Sequence, residues 1–110
     1  LQVSPQDSDL QFNMGNLYNA TKRWEEARNA YKTAIETKPS FAEAHYNLGL
    51  VYSQLKDYPM AIQHLETFLQ LSPNAPHAQN VSSFLSLLKK QAISGKQESS
   101  QQKPTVKSAL

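Results

Sequence analysis

Three histidines, His45, His64 and His77, are the side chains here best suited to proton transfer or metal ligation. Their spacing supports neither. No HExxH motif is present, and no carboxylate stands where it would complete a metal cluster with them. Serines are many, but none sits in a GxSxG elbow, and the three glycines stand alone, so no phosphate-cradling loop exists. The chain has no cysteine, which removes disulfides, thiolate metal sites and thiol nucleophiles. Catalysis is therefore not expected, nor is a cofactor or a bound metal. His45 reads as a packing residue and His64 as a residue on the outer face of its helix. What remains is amide chemistry. Asparagines on a helix surface carry no propensity benefit, yet each amide can both donate to and accept from an extended peptide backbone.

The elements that position these residues are helices. Leu48, Val51, Tyr52 and Leu55 recur at helical spacing, and Gly49 among them should cost about 1 kcal/mol relative to alanine. Shifting the sequence by 34 residues explains why it is kept. Asn13 falls on Asn47, Gly15 on Gly49, Tyr18 on Tyr52, Lys22 on Lys56, Ala27 on Ala61, Thr33 on Thr67 and Pro39 on Pro73. This internal repeat divides into two helices per copy. The first copy places Leu10, Met14, Leu17 and Tyr18 on one apolar face, followed by a helix with Ala27, Tyr31, Ala34 and Ile35. Ser8 with Gln11, and Ser40 with Glu43, have capping-box spacing. Asp57 before Pro59 suits a helix start, and Pro39 and Pro73 suit helix ends. Gly15 should face the Ala27 region and Gly49 the Ala61 region, where small residues let two helices approach closely.

These residues resemble the tetratricopeptide repeat family. The first copy reads Gln11, Met14-Gly15, Tyr18, Ala27, Tyr31, Pro39, and the second His45, Leu48-Gly49, Tyr52, Ala61, Leu65, Pro73. The departures are Gln11 and His45, where the family often has tryptophan, and Leu65, where it has an aromatic. The resemblance implies an all-α fold of five helices, antiparallel pairs stacked as a right-handed solenoid. We expect a lead-in over residues 1–7, repeats over 8–41 and 42–75, a capping helix over 76–95 and a disordered polar tail over 96–110. In the capping helix Ala78, Val81, Leu85, Leu88 and Ala92 share one face, and Gly95 suits a C-terminal stop.

The resemblance also implies a concave groove lined by the first helix of each pair. Its expected lining is Phe12, Asn13, Asn16, Asn19, Tyr46, Asn47, Leu50, His77, Asn80 and Phe84. The expected function is binding of a peptide or partner segment there, with Phe12, Tyr46 and Leu50 offering apolar contact beside the amides. Replacing Asn16 and Asn47 by alanine should then leave stability nearly intact. Repeat proteins that grip acidic chaperone tails use Lys, Asn, Asn, Lys and Arg. The corresponding positions here are Phe12, Asn16, Asn47, His77 and Val81, so the cations are missing and an acidic chaperone tail is not the expected partner. The alternative is a structural stacking module, a homodimer or part of a longer array.

Charge narrows the partners further. Residues 1–95 carry 8 basic and 8 acidic side chains; the net +2 comes from Lys96, Lys103 and Lys107 against Glu98. The repeats offer a phosphate backbone no net positive field, so nucleic acid is not an expected partner. Apolar runs are too short to span a membrane, which takes roughly 20 residues. No signal peptide is visible, and the first residue is Leu1 rather than methionine, so we read the chain as a fragment or processed product.

Overall fold

A computed structural model describes residues 7–109, with side chains through Ile93. The expected lead-in therefore lies outside the described residues except for Asp7, as does Leu110. Five helices follow in order: α1 (Ser8–Ala20), α2 (Trp24–Thr37), α3 (Ala42–Gln54), α4 (Tyr58–Leu71) and α5 (Ala78–Ala109). The described residues are all-α, and the substantial contacts run between consecutive helices.

Two of the expected helix starts differ. Asp7, not Ser8, caps α1, its Oδ1 accepting from Leu10 N at 3.0 Å. A carboxylate caps as well as serine and adds a favourable charge at the helix N-terminus. At α3 the cap is Phe41, whose side chain has no acceptor to offer; its ring instead packs against Phe12 at a centroid distance of 4.8 Å. Asp57 does cap α4, accepting from Met60 N at 3.4 Å with Pro59 in the first turn. Helices α2 and α4 stop before Pro39 and Pro73 as expected.

Gly95 does not end α5. A glycine stops a helix by adopting the left-handed conformation, and no glycine here has positive φ. The helix continues through the segment expected to be a disordered tail, to Ala109, across Lys96, Gln97 and Glu98, which are good helix formers.

The two intra-repeat turns are built alike. Arg23 N donates to Tyr18 O and Asp57 N to Tyr52 O, both at 2.9 Å, while Lys22 N and Lys56 N each donate three residues back at 3.1 Å. This is the Schellman arrangement, whose left-handed residue is usually glycine. Here it is Lys22 (φ 63°) and Lys56 (φ 64°). Left-handed backbone costs a non-glycine residue about 1–2 kcal/mol, and glycine's extra freedom when unfolded offsets part of that. Lys56→Gly should therefore raise stability by about 0.5–1 kcal/mol in urea unfolding. No gain would show that the lysine makes a compensating contact.

The core contains Ala27, Tyr31, Leu48, Val51, Tyr52, Ala61, Leu65, Phe68, Val81, Leu85 and Leu88. The apolar face shared by Leu10, Met14 and Leu17 on α1 is open. Ala44, Leu48 and Val51 of α3 are fully buried, and α3 packs on α2. Their register equivalents Leu10, Met14 and Leu17 are 37%, 36% and 66% exposed, because no described element covers that face of α1.

Candidate functional site

The expected site residues separate into two groups and three outliers. The first group joins α1, α2 and α3. Asn16 Oδ1 accepts from the Tyr31 hydroxyl at 2.5 Å and from Asn47 Nδ2 at 3.0 Å. Phe12 leans on the Tyr31 ring at 5.7 Å and on Phe41. Asn16 and Asn47 are thus tied to each other through a buried tyrosine, so the double alanine variant would leave a buried hydroxyl unpartnered. That costs about 1–3 kcal/mol, contrary to the sequence expectation.

Tyr31 was not among the expected site residues, but a signal for it exists. A buried tyrosine hydroxyl needs a partner. The first repeat has Tyr31 and Asn16 where the second has Leu65 and Leu50. A polar pair is replaced by an apolar pair at the same two register positions. The same tyrosine corrects the reading of Gly15: a Cβ there would lie 2.5–2.9 Å from three Tyr31 ring atoms, so the ring, not Ala27, occupies the glycine's space. At Gly49 the neighbours are Leu65 and the Ala61 carbonyl, so Ala61 does take part.

The second group joins α3 to α5. Tyr46, Leu50, Asn80, Val81 and Phe84 line a concavity of about 240 Å³. That is smaller than the roughly 300–1,000 Å³ of drug-sized ligand sites and suits a single side chain. The wall is backed by Phe68, whose ring meets Tyr46 at 5.2 Å and stacks on His77 at 5.1 Å. His77 sits in the turn before α5 and meets Tyr46 edge-on at 4.9 Å, so it supports the wall rather than lining the concavity. The other outliers are Asn13, which is exposed, and Asn19, which is half-buried; neither lines the concavity or joins the asparagine pair.

His64 does not face outward. Its ring stacks between His45 (5.2 Å) and Tyr52 (5.7 Å), and its Nδ1 lies 3.1 Å from His45 Nδ1. His45 is buried, as expected of a packing residue, with Nε2 2.9 Å from the Pro39 carbonyl. A carbonyl only accepts, so Nε2 carries a proton; in neutral His45 its Nδ1 then accepts from His64 Nδ1–H.

Burial, followed by the nearby charges of His45 and Lys32, pushes His64 down to about 4 from the ordinary 6.5. Tyr52, which stacks on His64, in turn feels the charges of Arg28 and Asp57. Below about 6.5 the unfolded chain takes a proton on His64 that the native state refuses until about 4. Stability should thus be full above pH 6.5 and fall between 6.5 and 4. Allowing for solvent around a half-buried ring, the loss is about 1–2 kcal/mol. Urea midpoints at several pH values would measure it, and His64→Gln should flatten that part of the profile. An equally steep profile in the variant would assign the loss to other groups.

No described helix is long and apolar enough to cross a membrane. A family profile described as TPR repeat matches residues 15–56, and one described as tetratricopeptide repeat matches 42–75. The peroxisomal targeting signal receptor of Candida glabrata is 37% identical over 71 residues, covering 64% of this chain and 12% of that protein. Human neutrophil cytosol factor 2 is 33% identical over 73 residues, 66% of this chain and 14% of its own length. Human tetratricopeptide repeat protein 17 is 31% identical over 67 residues, 61% of this chain and 6% of its own. The chain thus spans a small part of each relative. Among solved structures, the TPR2B domain of yeast Sti1, described as a pHsp70 complex, superposes with a TM-score of 0.70 at 22% identity, over 83% of this chain and 72% of that one. With repeat profiles matching across residues 15–75, the chain belongs to the tetratricopeptide repeat family.

Proposed function

We propose that this chain is a non-catalytic interaction module that takes an extended peptide or partner segment on the face formed by α1, α3 and α5. The observation that carries this reading is the convergence of Tyr46, Leu50, Asn80, Val81 and Phe84 on one concavity. Asn47, whose amide is linked to Asn16, stands about one turn before Leu50 on α3, and an apolar pocket with a few fixed polar groups is the usual make-up of a recognition site. The carboxylate-clamp cation positions are held by Phe12, His77 and Val81, all engaged with apolar or aromatic neighbours. A partner without clustered acids is therefore favoured over an acidic chaperone tail, and nucleic acid is not a partner. Selection of binders from a displayed peptide library tests the reading. Leu50→Glu should weaken the selected peptides at least 10-fold, about 1.4 kcal/mol, without a large change in Tm. Undiminished binding would place the contact elsewhere.

A second reading is favoured by the open stripe of Leu10, Met14 and Leu17. On it the face of α1 stacks against another repeat or a second copy, as α3 stacks on α2. Sedimentation velocity over a wide concentration range distinguishes the two: reversible dimerisation supports stacking, and a monomer throughout leaves the groove as the working surface.

A further inference from the structure

One buried hydroxyl decides which atoms the two central asparagines present to solvent. Asn16 Oδ1 accepts from the Tyr31 hydroxyl at 2.5 Å and from Asn47 Nδ2 at 3.0 Å, which occupies both of its lone pairs. The pairing identifies the atom: an amide oxygen can accept from both groups, whereas a nitrogen turned toward Asn47 Nδ2 would set two donors face to face. Burial pushes the Tyr31 phenol up from its ordinary value, so the hydroxyl keeps its proton and donates.

With that oxygen held inward, Asn16 has its Nδ2 amide left to offer. Asn47 has directed its Nδ2 toward Asn16 and, at 3.4 Å, toward the Tyr31 oxygen, and its Oδ1 is left. Among the described residues no buried side-chain nitrogen or oxygen lacks a partner, so both of these atoms are within reach of solvent. One helix therefore shows a donor and its neighbour an acceptor.

We propose that Tyr31 is a positioning residue for recognition, holding Asn16 and Asn47 so that a donor on α1 and an acceptor on α3 meet a carbonyl and an N–H of an extended peptide main chain. This rests on the groove reading above. An extended chain presents both groups along its edge, advancing about 3.3 Å per residue. The pair reads the ligand's main chain rather than its charge, and the concavity of Tyr46, Leu50 and Phe84 reads one apolar side chain. The second repeat carries Leu65 and Leu50 at the equivalent positions and cannot hold an amide in this way. This tyrosine-held pair of amides thus occurs at the junction of α1 and α3 and not at that of α3 and α5.

The test uses the whole chain and, as probe, the tightest heptapeptide selected from a phage-displayed library. Asn16→Asp keeps both inward contacts and replaces the outward donor with an acceptor. It should hold Tm within a few degrees and weaken the probe at least 10-fold. Tyr31→Phe keeps the ring against Gly15 but releases Asn16. It should weaken the probe several-fold and, without any ligand, shift the Asn16 side-chain amide signals in a ¹H–¹⁵N spectrum. Asn47→Asp sets two acceptors face to face and should lower Tm, the opposite pattern from Asn16→Asp. Equal binding by Asn16→Asp and the parent overturns the proposal while the groove reading stands. Unmoved Asn16 amide signals in Tyr31→Phe overturn the positioning role. Failure to select any peptide overturns the groove reading, and the recognition role with it.

Discussion

Gly49→Leu is expected to lower the unfolding free energy by about 3 kcal/mol or more, a large share of the roughly 5–15 kcal/mol typical of a small domain. A Cβ at this position would already lie 2.7 Å from Leu65 Cγ, 2.9 Å from Leu65 Cδ2 and 3.3 Å from the Ala61 carbonyl oxygen. Leu65 is fully buried and the carbonyl is backbone, so neither can move aside cheaply. The added helix propensity of leucine, about 0.8–1 kcal/mol over glycine, is smaller than the cost of separating α3 from α4. Gly15→Ala probes the same contact in the first pair, where the obstacle is the Tyr31 ring. Thermal and urea unfolding followed by circular dichroism would read both. An unchanged Tm in Gly49→Leu would show that the helices have room that the described packing denies them.

Phe68→Ala is expected to cost about 3–5 kcal/mol, the range for removing a buried phenylalanine. Phe68 is fully buried, and its ring supports Tyr46 on one side and His77 on the other. Its loss should also weaken any ligand of the α3–α5 concavity, because Tyr46 would lose its backing. Phe68→Leu should restore most of the stability. If Phe68→Ala melted like the parent, the aromatic cluster would contribute little to the fold.

Much of this was readable in the sequence. The 34-residue offset exposes the repeat, and with it the helix pairs, because the residues that fix helix approach and turn geometry recur at one spacing. Tyr46, Leu50, Asn80 and Phe84 do converge, and so do Asn16 and Asn47. The misses share a cause. Periodicity tells which face of a helix is apolar but not whether a neighbour covers it, so the openness of Leu10, Met14 and Leu17 is not legible there. The same limit turned His64 outward: its helix pattern carries no record of His45 across the α3–α4 interface. Capping depends on which of two adjacent residues turns inward, and Phe41 does so for contact with Phe12, which sequence spacing does not reveal. The helical continuation through Gly95 was missed because glycine signals a stop only where the chain takes positive φ.

The sequence of interfaces, each helix against the next, has a consequence for how the molecule opens. α1 can detach by giving up its packing on α2 and two side-chain contacts at α3, Asn16 with Asn47 and Phe12 with Phe41, whereas α3 must lose its packing on both α2 and α4. Amide hydrogens of α1 should therefore exchange with deuterium sooner than those of α3, with the turns at Lys22 and Lys56 serving as pivots. The donor on α1 and the acceptor on α3 would then sit on segments of unequal lifetime. A bound main chain spanning both would slow exchange in α1 most, which makes the ligand a fastener for the looser end of the array.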